Sequence, residues 1–147
     1  MLTIVEKVLF LQDVDIFKDT STEDLAHVAA ITNEVNFRAQ ENVYNEGDVS
    51  DSMYMVIGGI VHLHHQKQQA MIAMTKDVFG TWALFDEETR VATATTVEET
   101  RLLKIYREDF YDLLADHIRI TEGVLKNLSR RLRGLLGRVK IDLEQGR

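Results

Sequence analysis

Between Asp77 and Thr93 the chain reads Asp-Val-Phe-Gly-Thr-Trp-Ala-Leu-Phe-Asp-Glu-Glu-Thr-Arg-Val-Ala-Thr, with a single glycine, Gly80, near its start and a single arginine, Arg90, near its end. A turn opened by Gly80 leaves successive backbone N–H groups free around Ala83, and consecutive amides of this kind form a concavity that binds anions. An arginine returning beside them adds a planar fork of charge-assisted donors suited to phosphate. The chemistry on offer is recognition of a phosphate-like anion rather than bond making. On these residues alone two readings stand side by side: an anion-binding loop, or a surface turn whose arginine is simply solvated.

Other constellations carry less. His62 and His64 alternate on one strand face beside His65, but Gln66-Lys67-Gln68-Gln69 follows and no further histidine comes before His117. Strand histidines without a carboxylate or a later histidine are solvent-facing by default, so no metal site is expected. Asp86-Glu87-Glu88 reads as a solvated charge run on a turn rather than an acid–base pair. No serine or threonine stands in a nucleophile-elbow motif, and the chain has no cysteine for a thiolate nucleophile or a disulfide. An enzyme is not expected.

The elements that must position the Gly80–Arg90 segment are short strands between helices. Ser21-Thr22-Glu23-Asp24 resembles a capping box, with Leu25, Val28 and Ala29 as the apolar face behind it. From about Glu34 the period becomes two, with Val35 and Phe37 alternating against Glu34, Asn36 and Arg38. Val43-Tyr44 runs into the turn Asn45-Glu46-Gly47-Asp48, and Met53 to Ile57 is expected as a strand. Gly58-Gly59 is expected as a hairpin turn leading to a returning strand from Ile60 to His65. Further strands fit Ala70 to Met74, Val91 to Val97 and Arg101 to Tyr106. Trp82 is expected to point into the core. Many short strands joined by turns indicate a closed roll or sandwich rather than a parallel sheet.

Helical spacing returns with Phe110, Leu113 and Leu114, and a last helix carries Leu125, Leu128, Leu132, Leu135 and Val139 at heptad-like intervals. That row could pack on the chain's own roll or pair with a second copy. With 147 residues and no repeat or linker, one domain over 1–147 is expected: helices about 3–32, roll about 34–106, closing helices about 107–145. No apolar run is long enough to span a membrane, and the opening residues do not read as a signal peptide, which suits a cytoplasmic protein. The net charge is −7, yet Lys126, Arg130, Arg131, Arg133, Arg138 and Lys140 share a stretch without an acidic residue. That stretch is expected to be solvated or docked on the acidic body; no nucleic-acid contact by this chain is expected, because an acidic domain repels phosphate backbones.

The Gly80–Arg90 loop resembles the phosphate-binding cassette of the cyclic nucleotide-binding domains of catabolite activator proteins and protein kinase A regulatory subunits. Phe79-Gly80, Ala83-Leu84 and Arg90-Val91-Ala92 match in order and spacing, as do Phe17 to Leu25, Glu46-Gly47-Asp48, Asp51, Tyr54, Gly59 and Ser129 to Arg133. The resemblance implies a double-stranded β-helix, or jelly-roll barrel, mainly β with flanking helices, acting as a non-catalytic sensor. It implies a small-molecule nucleotide ligand, cyclic AMP or cyclic GMP, and no other cofactor. Arg90 would grip the cyclic phosphate, the amides of Ala83 and Val91 would add donors, and Gly80 would keep the turn open beside Leu84. The family's glutamate for the ribose 2′-hydroxyl is replaced by Thr81, and Val91 is bulkier than the usual alanine or serine. On the lid helix Arg131 and Leu135 fall at the matching positions, Arg131 without its glutamate partner. A ligand-free interaction domain that dimerises through the last helix is the alternative. Transcription-factor relatives add a helix-turn-helix, for which the sequence ends too soon at Arg147, so any output part would lie in a longer protein.

Overall fold

The computed structural model describes residues 1–145, with side chains described as far as residue 139. Three helical pieces open the chain. Helix α1 (Ile4–Leu11) starts at a capping box in which Thr3 accepts from the Glu6 amide and Glu6 returns to the Thr3 amide. A short 3-10 turn (Asp15–Phe17) follows, then α2 (Thr22–Ala30), where the Ser21 side chain caps the Asp24 amide at 3.1 Å.

Eight strands build the roll. They are β1 (Thr32–Phe37), β2 (Asn42–Tyr44), β3 (Ser52–Gly58), β4 (Val61–His65), β5 (Gln68–Ala73), β6 (Val78–Phe79), β7 (Thr93–Thr96) and β8 (Thr100–Tyr106). They pair antiparallel into two four-stranded sheets, ordered β1-β8-β3-β6 and β2-β7-β4-β5. Helices α3 (Arg107–Asp116) and α4 (Ile118–Gln145) close the chain. Antiparallel strands that pass between two four-stranded sheets with a core between them make the jelly roll the loop's resemblance implied.

Period-two alternation sorts the core into two layers. Met53, Met55 and Ile57 of β3 face the helices and pack with Phe17, Leu25, Phe110 and Ile120. Tyr54 and Val56 point between the sheets toward Val61, Leu63, Phe79 and Leu102. β3 is therefore buried on both faces, and it runs past the base of the Gly80 turn.

The Gly58-Gly59 hairpin is corrected by this pairing. β3 pairs with β6 and β8, while β4 pairs with β5 and β7, so the two glycines carry the chain from one sheet to the other. Gly59 has φ +110°, and a Cβ there would lie 2.7 Å from the Thr100 Cα. The close crossing over the start of β8 is what requires glycine. The tight hairpin is instead β4–β5, turning at Gln66 and Lys67, both with positive φ and neither a residue that advertises a turn.

The leucine row of α4 divides. Leu128 packs against the core, whereas Leu125, Leu132, Leu135 and Val139 are more than half exposed. Three of the helix arginines dock on the acidic body: Arg119 reaches Asp24 at 2.9 Å, Arg130 reaches Asp19 at 2.6 Å and Arg131 reaches Asp15 at 3.0 Å. Among the described residues no helix is long and apolar enough to cross a membrane.

Candidate phosphate-binding pocket

Arg90 is 6% exposed, and contacts on four sides hold it there. Its backbone is clasped by the Asn45–Asp48 turn: the Arg90 N–H donates to the Asp48 carbonyl at 2.9 Å, and the Gly47 N–H donates to the Arg90 carbonyl at 2.8 Å. Its guanidinium donates from Nη2 to the Ser52 carbonyl at 2.7 Å and to Ser52 Oγ at 3.2 Å, at the start of β3. The same group lies 4.0 Å from the centre of the Tyr44 ring on β2, a cation–π contact. Gly80 closes the fourth side. It sits in the left-handed region at φ +72°, and a Cβ there would come within 2.6 Å of Arg90 Nη1.

No carboxylate pairs with Arg90 among the described residues, and its buried Nε has no hydrogen-bond partner. A buried cation without a counter-ion is costly unless something anionic completes it. The guanidinium stands in the wall of a cavity of about 300 Å³. Tyr44, Leu63, Met71 and Phe79 supply apolar walls, and Ala83, Val91 and Ala92 come from the loop. Asp86 and Glu88 line the same cavity. Burial pushes the Tyr44 phenol up to about 12 against the pull of the Arg90 charge, so Tyr44 stays neutral beside the cation.

A second cavity, about 490 Å³, lies between the first 3-10 turn, the loop and α4. It is larger, but its ion pair of Arg131 with Asp15 is half exposed, whereas the Arg90 guanidinium is buried with no acidic partner among the described residues, so the smaller cavity holds the chemistry. The structure divides the residues singled out from sequence between the two. Gly80, Ala83, Arg90 and Val91 line the Arg90 cavity, whereas Thr81, Arg131 and Leu135 line the second one. Leu84 is fully buried in the helix-facing core. The Ala83 N–H donates to the Gly80 carbonyl at 3.1 Å inside the loop's own 3-10 turn (Thr81–Leu84).

Trp82 overturns its expectation: it is 74% exposed and lines both cavities. The alternation argument treated position 82 as part of a strand. The chain turns there into a 3-10 helix, which buries Ala83 and Leu84 and rotates Trp82 outward. His62 and His64 lie half-buried on the outer face of β4, and His64 Nε2 meets Thr95 Oγ1 at 3.0 Å.

Two residues had no signal in sequence. Ser52 holds Arg90 through a main-chain carbonyl as well as its hydroxyl. Arg107, the first residue of α3, donates from Nη1 to the carbonyls of Ser50, Ala83 and Asp86. Tyr44 was legible as the apolar end of a strand, though not as the ring beneath a guanidinium.

Comparison with known proteins agrees with this geometry. A family model described as cyclic nucleotide-binding domain matches residues 34–117, more than half of the chain. The CRP-like cAMP-activated global transcriptional regulator of Mycobacterium tuberculosis is 32% identical over 114 residues, covering 72% of this chain and 51% of that protein. The chain therefore spans about half the length of that relative. The N-terminal domain of a transcriptional regulator from Streptomyces coelicolor A3(2) superposes with a TM-score of 0.82 at 27% identity, covering 86% of this chain and 94% of the other. The catabolite activator protein of Thermus thermophilus superposes at 0.69 with 25% identity, covering 90% and 63%. A jelly roll whose Gly80 turn and buried Arg90 stand in one pocket, with the family match running across both, leads to one conclusion: the chain belongs to the cyclic nucleotide-binding domain family.

Proposed function

We propose that this chain is a non-catalytic sensor module that binds a cyclic nucleotide, cyclic AMP or cyclic GMP, with the phosphate on Arg90. The observation that carries the reading is the buried guanidinium with an orphan Nε and no acidic partner, in the wall of a cavity of about 300 Å³. A phosphate supplies the missing charge and accepts from the free donors, while Tyr44, Leu63 and Met71 offer apolar surface to the rest of the ligand. The name of the Mycobacterium tuberculosis relative, a cAMP-activated regulator, supports cyclic AMP as the first ligand to test. Nothing in the pocket performs bond chemistry, so the module's output is conformational. The route runs through the loop: Trp82 borders the Arg90 cavity on one side and the α4 residues Leu128 and Leu132 on the other. A ligand that shifts the loop biases α4 by its differential affinity for the two arrangements. Calorimetry of the wild-type chain with cyclic AMP and cyclic GMP tests this, and absence of heat at millimolar ligand sinks it.

One observation supports a second role for α4. Leu125, Leu132, Leu136 and Val139 are each more than half exposed, and a helix leaves such a row bare when a partner covers it. Pairing of α4 with α4 of a second copy fits this row. Sedimentation of wild type against Leu132→Asp measures it: a dimer that becomes monomeric supports the pairing, and a wild-type monomer at high concentration removes it.

A further inference from the structure

Arg107 stands outside the pocket yet behind three of its walls. Its Nη1 donates to the carbonyls of Ser50 at 2.7 Å, Ala83 at 3.1 Å and Asp86 at 2.7 Å. All three acceptor residues line the Arg90 cavity. Its own backbone N–H donates to the Asp51 carbonyl at 2.8 Å, one residue before the Ser52 that holds Arg90. One residue therefore ties the start of β3, the 3-10 turn of the loop and the stretch after it to the first turn of α3. An aromatic contact runs along the same path, since Phe85 of the loop meets Phe110 of α3 edge-on at 6.1 Å between ring centres.

These bonds have an unusual economy. Three carbonyls surround a nitrogen that carries only two N–H groups, so at least one bond is shared. Carbonyl oxygens from three segments repel one another, and the half-buried cation is what makes their convergence favourable. Without it the loop carbonyls of Ala83 and Asp86 lose the side chain that hydrogen-bonds them both to the segment before β3 and to α3. The buried β-strands, which have their own ladders, lose nothing.

We infer that Arg107 is a positioning residue: by holding the carbonyls behind the Arg90 pocket it sets the shape of the loop and couples filling of the pocket to the seating of α3. This deepens the reading of that pocket as an anion site, and the test separates the two. Amide hydrogen exchange is measured on the ligand-free chain for wild type, Arg107→Lys and Arg107→Met, followed by calorimetry with cyclic AMP. In Arg107→Met the amides of residues 83–90 and the first turn of α3 are expected to exchange at least tenfold faster, while those of central β3 and β8 keep their wild-type rates. Affinity for cyclic AMP falls about tenfold or more. Arg107→Lys, which keeps a cation on a side chain one bond shorter, gives intermediate values for both. Wild-type exchange in Arg107→Met overturns the inference, and so does uniform acceleration through β3 and β8, which marks a general stability residue. If wild type itself binds no cyclic AMP, the ligand reading falls while the exchange pattern still decides the role of Arg107.

Discussion

Replacing Arg90 by methionine separates what the residue does for the fold from what it does for a ligand. Methionine fills much of the same volume without charge, so the cavity left by an alanine is avoided. In the unliganded chain the change removes two hydrogen bonds from a cation to Ser52, at 2.7 and 3.2 Å, and the stacking on Tyr44. Hydrogen bonds to charged groups are worth about 1.5–3 kcal/mol each, and the ring contact about 0.5–2. Against this stands the penalty of several kcal/mol for keeping a cation 6% exposed with an orphan Nε and no acidic partner. The two sides nearly cancel, so unliganded stability should change by no more than about 2 kcal/mol in either direction. Binding has no such offset. A phosphate held by two charge-assisted bonds loses about 3–6 kcal/mol, which weakens affinity by about 10²–10⁴-fold. Urea denaturation without ligand and calorimetry with cyclic AMP give the two numbers. Affinity within about fivefold of wild type refutes Arg90 as the anion anchor. Intact affinity is not the only refuting result: a loss of more than about 4 kcal/mol of unliganded stability makes Arg90 a structural residue.

Three further changes probe the same pocket. Gly80→Ala forces a side chain into φ +72° and within 2.6 Å of Arg90 Nη1, so stability should fall by about 1–2 kcal/mol and cyclic AMP affinity by at least tenfold; wild-type affinity would show the guanidinium moves aside freely. The Tyr44 phenol, pushed from 10.0 up to about 12 by burial, keeps its proton in the folded chain while the unfolded chain loses it. Stability is thus whole below pH 10 and falls by roughly 2–3 kcal/mol as pH rises toward 12, a fall that Tyr44→Phe should flatten in guanidinium titrations at pH 9 and 11.5. Thr81→Glu adds a carboxylate at a position that lines the α4 cavity rather than the Arg90 cavity, so cyclic AMP affinity in calorimetry is expected to stay within about threefold of wild type. Tightening of about tenfold would instead bring position 81 to the ligand.

Residues whose job is repeated locally were legible in the chain. The alternation of Val35 and Phe37 announces a strand because a half-buried strand requires little else, the short apolar run Met53–Ile57 before two glycines announces a buried one, and Ser21 caps α2 through a bond only three residues long. The loop's Phe79-Gly80, Ala83-Leu84 and Arg90-Val91-Ala92 were picked out by resemblance to a family's cassette; the residue types alone, a turn with a returning arginine, fit a solvated surface turn equally. Trp82 failed because alternation holds only where the backbone stays extended, and the chain enters a 3-10 turn at Thr81. Gly58-Gly59 failed because two glycines mark a bend without saying which sheet the next strand joins.

What the amino-acid order determined by itself was the inventory: a small acidic chain of short strands between helices, with a glycine turn and a single arginine returning beyond it. Only the tertiary structure decided that Arg90 would be buried. That outcome needs Asp48, Tyr44, Ser52 and Gly80 together, and the Ser52 contact alone spans 38 residues of sequence. It likewise decided that Thr81 and Arg131 face a different cavity from Arg90, and that Arg107 grips three carbonyls from behind. The physical reason is common to all of them. Local pattern sets which face of a strand or helix is buried, whereas pairing between distant strands sets who meets there, and a hydrogen bond to a main-chain carbonyl leaves no side-chain type to read.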